Sequence, residues 1–318
     1  MLKIMLSRSS ISLGLCLAFN SAIFAAESPP TINSTTETLL DRIVPASPEV
    51  IKEFESAGMR EVRPHKLTDS DRIKISQALA VLPPLHRSVL AERLVSISFI
   101  DGIAGEGTAL TAPSRRKGKY SITFRSSIID ESLTEFLTTK ERRLFTTATG
   151  GPIVTVTADG LDALPFAFLH ESTHIVDNVV GIKTNANHPL IIDEWMTNHD
   201  LKMPYAGSII STTHFRGGSK IPIEDAEAVY DALAMSPFVS LYSTAASSED
   251  IAELLAWYQE QEINNASFVI AITDSNGRTL KRYEPLNFPL VKDRFPQVKQ
   301  LLDARESGRD ISAALNPQ

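Results

Sequence analysis

"FLHESTHIVDNVV", residues 168–180, places two histidines and a glutamate at the centre of an otherwise apolar run. Around it, Leu161, Leu164, Phe168, Ile175 and Val179 recur at helical spacing, and Phe166, Leu169 and Val176 widen the apolar surface. Asp159 to Asp162 supply capping groups, and Pro165 is tolerated in a first turn. The pattern predicts a mostly buried helix from Asp162 to Val180. On it His170 and His174, four residues apart, share one face, with Glu171 beside them.

Two imidazoles and a carboxylate are costly inside an apolar helix unless something satisfies them. Hydrogen bonds within the core are one answer. A zinc ion is the other: neutral imidazoles bind it from adjacent turns, leaving Glu171 next to the metal's water. With 7 histidines in the chain, His-Glu-x-x-His arises by chance in on the order of one per cent of such sequences, which favours the metal.

Outward from this segment, the beginning of the chain reads as a leader. Lys3 and Arg8 precede "ISLGLCLAFNSAIF" and then "AAESPP", the layout of a secretory signal peptide cleaved after Ala25. Asn20 interrupts the apolar run, which is short for a membrane span. The single cysteine, Cys16, lies in this leader, with bulky Leu15 where lipidation wants a small residue. An exported protein, periplasmic or secreted, would then hold together without disulfides, and any metal must be held by His, Asp or Glu. Removing Lys3 and Arg8 from 31 basic residues leaves 29 against 38 acidic ones, a net charge of −9. That balance disfavours nucleic acid and anionic membranes as partners, and no integral membrane segment is expected after cleavage.

Residues 26–46 read as a loose, Ser/Thr/Pro-rich start to a lead-in over 26–66, with the main domain over 67–318. Ser47 and Pro48 open a helix, and further helices are expected at 69–81 and 85–95. Strand-like "LVSISFI" and "YSITFRSSII" follow, then the helix "SLTEFLTTKERRLF" and the strand "IVTVT" (153–157). Beyond the central helix lie a polar stretch (181–220), helices near 223–234 and 248–262, and a hairpin turning at Asn276-Gly277. A last helix is expected over 289–303. Irregular alternation of strands and helices predicts an α+β fold.

His170-Glu171-Ser172-Thr173-His174 resembles the zinc-binding helix of the zincin metallopeptidases. The resemblance is strong over about 25 residues and diffuse elsewhere. It implies a zincin-like mixed sheet packed on the active-site helix, a helical C-terminal part, and a substrate-side edge strand within 95–125. It also implies a zinc-dependent peptidase acting on peptide or protein substrates, with Glu171 as general base. A hydrolase of another amide, such as a cell-wall peptide, and an inactive zincin-like binding protein are the alternatives.

The third ligand separates the zincin branches, and three glutamates remain open. The metzincin extension is absent. Asp177, one turn past His174, reads as support for an imidazole or as surface charge. Glu194 in "IIDEWMTNHD" follows His174 by 20 residues, as in the thermolysin-type branch, but Asn198 stands where that branch has Asp. "SLYSTAASSEDIAELLAWY" is similar to the segment of lethal-factor-like gluzincins in which a tyrosine precedes the ligand by seven residues. That resemblance favours Glu249 as ligand, Tyr242 as oxyanion donor and Glu253 as partner of a ligand imidazole, although Ile251 stands where the family often has an aromatic. His65, His86, His188 and His199 read as surface residues. His214, in "STTHFRGG" with Arg216, is a candidate for lining a cleft.

Overall fold

The computed structural model describes residues 34–303, Ala104 and Glu106 excepted. The leader expected over residues 1–25 lies outside the described residues. No described helix is long and apolar enough to cross a membrane.

The chain runs α1 (Ser34–Leu40), α2 (Pro48–Ser56), β1 (Arg60–Pro64), α3 (Asp69–Ala80) and α4 (Pro84–Arg93). It continues through β2 (Leu94–Ile103), β3 (Ala109–Pro113), β4 (Tyr120–Arg125), α5 (Leu133–Arg142) and β5 (Ile153–Thr157). The central helix α6 (Ala163–Val180) follows, then α7 (Ala226–Ala234), α8 (Ser247–Asn264), β6 (Val269–Thr273) and β7 (Thr279–Tyr283). The described chain closes with α9 (Pro289–Lys292) and α10 (Phe295–Asp303). The architecture is α+β, as expected.

Local chemistry explains the main boundaries. Ser47 accepts from Val50 N to cap α2, with Pro48 in the first turn. Capping boxes open α3 (Thr68 with Asp71) and α5 (Ser132 with Glu135). Gly181 ends α6 at φ 82°, a left-handed conformation that suits a residue without Cβ.

The strands form two sheets. A mixed four-stranded sheet has the order β1-β2-β4-β3, with β2 and β4 parallel and the other pairs antiparallel. "IVTVT" instead joins the C-terminal hairpin in an antiparallel sheet ordered β5-β6-β7. The helix α6 lies between its neighbours through aromatic contacts. Phe124 on β4 sits 4.6 Å, centroid to centroid, from Phe168, and Trp257 on α8 lies 5.0 Å from Phe166. Trp257 also stacks on Phe268 at 4.2 Å, just before β6.

Several expectations need correction. Ser34–Leu40 is helical, and Leu39 is wholly buried in the core. "YSITFRSSII" is a strand only to Arg125, after which Ser126–Ile129 turn into a 3-10 helix. The last helix breaks between Lys292 and Phe295, because Pro296 is tolerated only where a helix begins. Val179 is exposed, on the outer face of α6. His86 and His188 are buried and His65 is largely so, paired with Asp101 at 2.7 Å; His199 is exposed.

His86 joins α4 to the central helix. Its Nε2 lies 2.9 Å from Thr173 Oγ1, which itself donates to Leu169 O, so the ring donates there and its buried Nδ1 has no partner. Burial pushes the imidazole down to about 3. The folded protein therefore holds His86 neutral where the unfolded chain protonates it, and stability is lost as pH falls from 6.5 towards 3. Burial pushes Glu141 and Glu194 up to about 7, which acts in the opposite sense, so His86 must be isolated by comparison. Urea unfolding of wild type and His86→Gln should show their stability difference narrowing by about 2 kcal/mol between pH 6.5 and 5. A constant difference would mean that His86 is charged in the folded state.

Candidate metal centre

His170 and His174 extend from α6 towards the first two turns of α8. Their rings stand 5.0 Å apart and nearly perpendicular. Glu249 Oε2 lies 3.0 Å from His170 Nε2 and 3.6 Å from His174 Nε2. One ligand atom from each of the three residues falls within 4.8 Å of the others, a group that could hold a metal ion. Donors about 2.1 Å from a tetrahedral zinc ion stand about 3.4 Å apart, and these two separations bracket that value.

The charges in this group ask for a cation. Both nitrogens of His170 face carboxylates, Nε2 towards Glu249 and Nδ1 towards Glu253 at 3.3 Å. A neutral imidazole has only one N–H, so one of those contacts sets a lone pair against a carboxylate. Burial disfavours a charged ring, yet hydrogen bonds to Glu249 and Glu253 override it and push His170 up to about 10. For Glu249 the neighbouring histidines likewise outweigh burial and hold the carboxyl well below its ordinary value.

Glu253 lies one helical turn after Glu249 and is almost wholly buried. Besides His170 it meets Lys140 Nζ at 3.2 Å and accepts from Ser240 Oγ at 2.9 Å. Burial opposes its ionisation, but Lys140 and His170 bring it down to about 2.

Glu171 stands beside the group. Its carboxylate accepts from Thr111 Oγ1 at 2.6 Å, a hydroxyl carried by β3. Tyr242 lies in a 3-10 turn, with its ring 5.9 Å from that of His170 and 5.1 Å from that of Phe215. Burial, then Glu249 and Glu171, push its phenol well above the ordinary value, so it remains a donor at neutral pH.

Two cavities meet at this point, both touching Ala109, His170, Glu171 and Tyr242. One, of ≈460 Å³, extends past Thr108 among Phe136, Phe166, Phe215 and His214. The other, of ≈440 Å³, extends past Leu110 and Pro113 towards His174, Asn178 and Lys183. Together they form a cleft along β3. Among the described residues that strand pairs only with β4, and its other edge has no strand partner.

The structure brings His170, Glu171, His174, Tyr242, Glu249 and Glu253 together. Glu194 lies elsewhere, with Oε1 3.8 Å from Arg294 Nε. Asp177 is fully buried and accepts from Lys183 N at 2.8 Å, so it braces the turn after α6 and is not a surface charge. His214 reaches the cleft, whereas Arg216 turns away to donate to the backbone carbonyls of Ser211, Thr244 and His199. Gly218 permits this loop: a Cβ there would lie 1.9 Å from Thr212 O. Thr111 and Lys140 were not singled out in the sequence. They reach the site from positions 60 and 113 residues away from the groups they touch, and no local pattern marks such contacts.

Comparison with protein-family models, with curated proteins and with solved structures returns no match, so the functional reading rests on the residues themselves.

Proposed function

We propose that this protein is an exported zinc-dependent peptidase of the gluzincin type, with a zincin-like catalytic fold. The observation that carries the proposal is the convergence of His170, His174 and Glu249 within 4.8 Å, at a cleft where Glu171 stands outside the group. Two imidazole nitrogens and one carboxylate oxygen suit zinc, whereas calcium and magnesium favour all-oxygen sites. A bound zinc ion supplies Lewis acidity at the scissile carbonyl and lowers the pKa of a water beside it.

The chain's own groups do the rest. Thr111 holds the Glu171 carboxylate by its hydroxyl, leaving the other oxygen to take the proton of the attacking water and pass it to the leaving amine. Tyr242 donates a hydrogen bond to the oxyanion that forms at the scissile carbon. The open edge of β3 offers backbone donors and acceptors to an extended peptide. Because the cleft continues past Ala109 in both directions, it suits a polypeptide better than a small amide.

Glu171→Gln tests the reading directly. It should keep zinc, measured by metal analysis of the purified protein, and lose roughly 100- to 10,000-fold in turnover of a peptide library. Turnover close to wild type would exclude Glu171 as the base.

Zinc affinity by chelator competition should rank the three glutamates. Glu249→Ala is expected to lose the metal, Glu253→Ala to bind about 10–100-fold more weakly, and Glu194→Ala to bind as wild type does. Severe loss in Glu194→Ala would transfer the ligand role to it.

Tyr242→Phe should leave zinc affinity unchanged and cost about 2–4 kcal/mol of transition-state stabilisation, read from kcat/KM. An unchanged kcat/KM would return Tyr242 to a packing role.

A further inference from the structure

We propose that Lys140 is a positioning residue of this site, acting on His170 through Glu253 and on Tyr242 through the face of its ring. The inference rests on the reading of the site as a metal centre. Lys140 Nζ lies 3.2 Å from Glu253 Oε1, the same oxygen that stands 3.3 Å from His170 Nδ1. It also lies 3.4 Å from the centroid of the Tyr242 ring, well inside the range of a cation–π contact, and 5.8 Å from that of Phe136. One ammonium therefore touches the carboxylate behind a ligand histidine and the residue proposed to bind the oxyanion.

Both contacts have physical consequences. The Glu253 side chain is 1% exposed, and a buried carboxylate needs a counter-charge. An imidazole bound to metal through Nε2 is neutral and gives Glu253 only an N–H dipole. The counter-charge then falls to Lys140, which keeps Glu253 in place to orient the ring. On the other side, the ammonium over the ring adds a directional hold on Tyr242. The origin of Lys140 is itself well braced. Ser132 and Glu135 cap α5, and Thr138 Oγ1 accepts from Val156 N on β5 at 2.9 Å.

The test compares wild type with Lys140→Met, which keeps an apolar stem, and Lys140→Arg, which keeps a cation able to stack on an aromatic ring. Zinc affinity by chelator competition should fall about 10–100-fold in Lys140→Met and stay near wild type in Lys140→Arg. In a Glu253→Gln background the counter-charge has no carboxylate to serve, so adding Lys140→Met should cause no further loss. At saturating zinc, Lys140→Met should lower kcat on a peptide library with little change in KM, and should lower it no further in a Tyr242→Phe background. Wild-type zinc affinity and kcat in Lys140→Met would overturn the role of Lys140 alone. Absence of zinc binding by the wild type would overturn the metal reading and this inference with it. Should Lys140→Met fail to fold, the comparison of Glu253→Gln with Lys140→Met/Glu253→Gln still decides. Equal affinities support the proposal, and a further drop refutes it.

Discussion

Burying His170 and Glu171 on one apolar helix, with His174 half-buried beside them, is the constraint to which the surrounding structure answers. Polar groups withdrawn from bulk water must find partners, and α6 has few of its own to give. The partners come from α8, whose Glu249 and Glu253 lie four residues apart and so present both carboxylates on one face. What sets the two helices at the right separation is apolar. Trp257 fills the space between Phe166 and Phe268, and a smaller side chain there would let the carboxylates withdraw from the imidazoles.

The start of α8 is held by parts of the chain that look unpromising alone. Asp250, fully buried beside Glu249, takes both terminal nitrogens of Arg294 at 2.9 and 2.8 Å and the Trp195 indole at 2.9 Å. Asn198 accepts from Ser247 N and Ser247 Oγ, each at 2.8 Å, where the helix lacks a side-chain cap of its own. The segment carrying Glu194 and Asn198 thus braces the helix that delivers Glu249. Both glutamate-bearing segments considered from the sequence belong to the region of the site, one in the metal-competent group and the other behind it.

Features set by neighbours along the chain were legible before the structure: the helical periodicity of α6, the Ser47-Pro48 start, the Asn276-Gly277 hairpin and the Tyr242–Glu249–Glu253 spacing. Features set by packing were not. The edge strand β3 is five residues long, ends in Pro113 and has no alternating burial, so "ALTAP" carries no strand signal. His86 and His188 have polar neighbours in sequence, yet packing between elements buries them. Lys140 stands in the charged run "TKERR", which reads as a solvated helix face. Its partner Glu253 comes to it only when α5 and α8 both meet α6.

A last consequence concerns β3. Thr111 reaches from this strand to Glu171, and the same strand offers its open edge to the cleft. On the proposed reading, the surface that aligns a peptide and the hydroxyl that orients the base therefore belong to one element. β3 is itself fixed to β4 by a ladder from Ala109–Phe124 to Pro113–Tyr120, and Phe124 packs on Phe168 of α6. A peptide added to that edge would be registered against the very helix that carries His170, Glu171 and His174. Catalysis depends on holding reacting groups within a fraction of an ångström, and on that reading a strand tied to α6 at both its side chain and its sheet would supply such positioning.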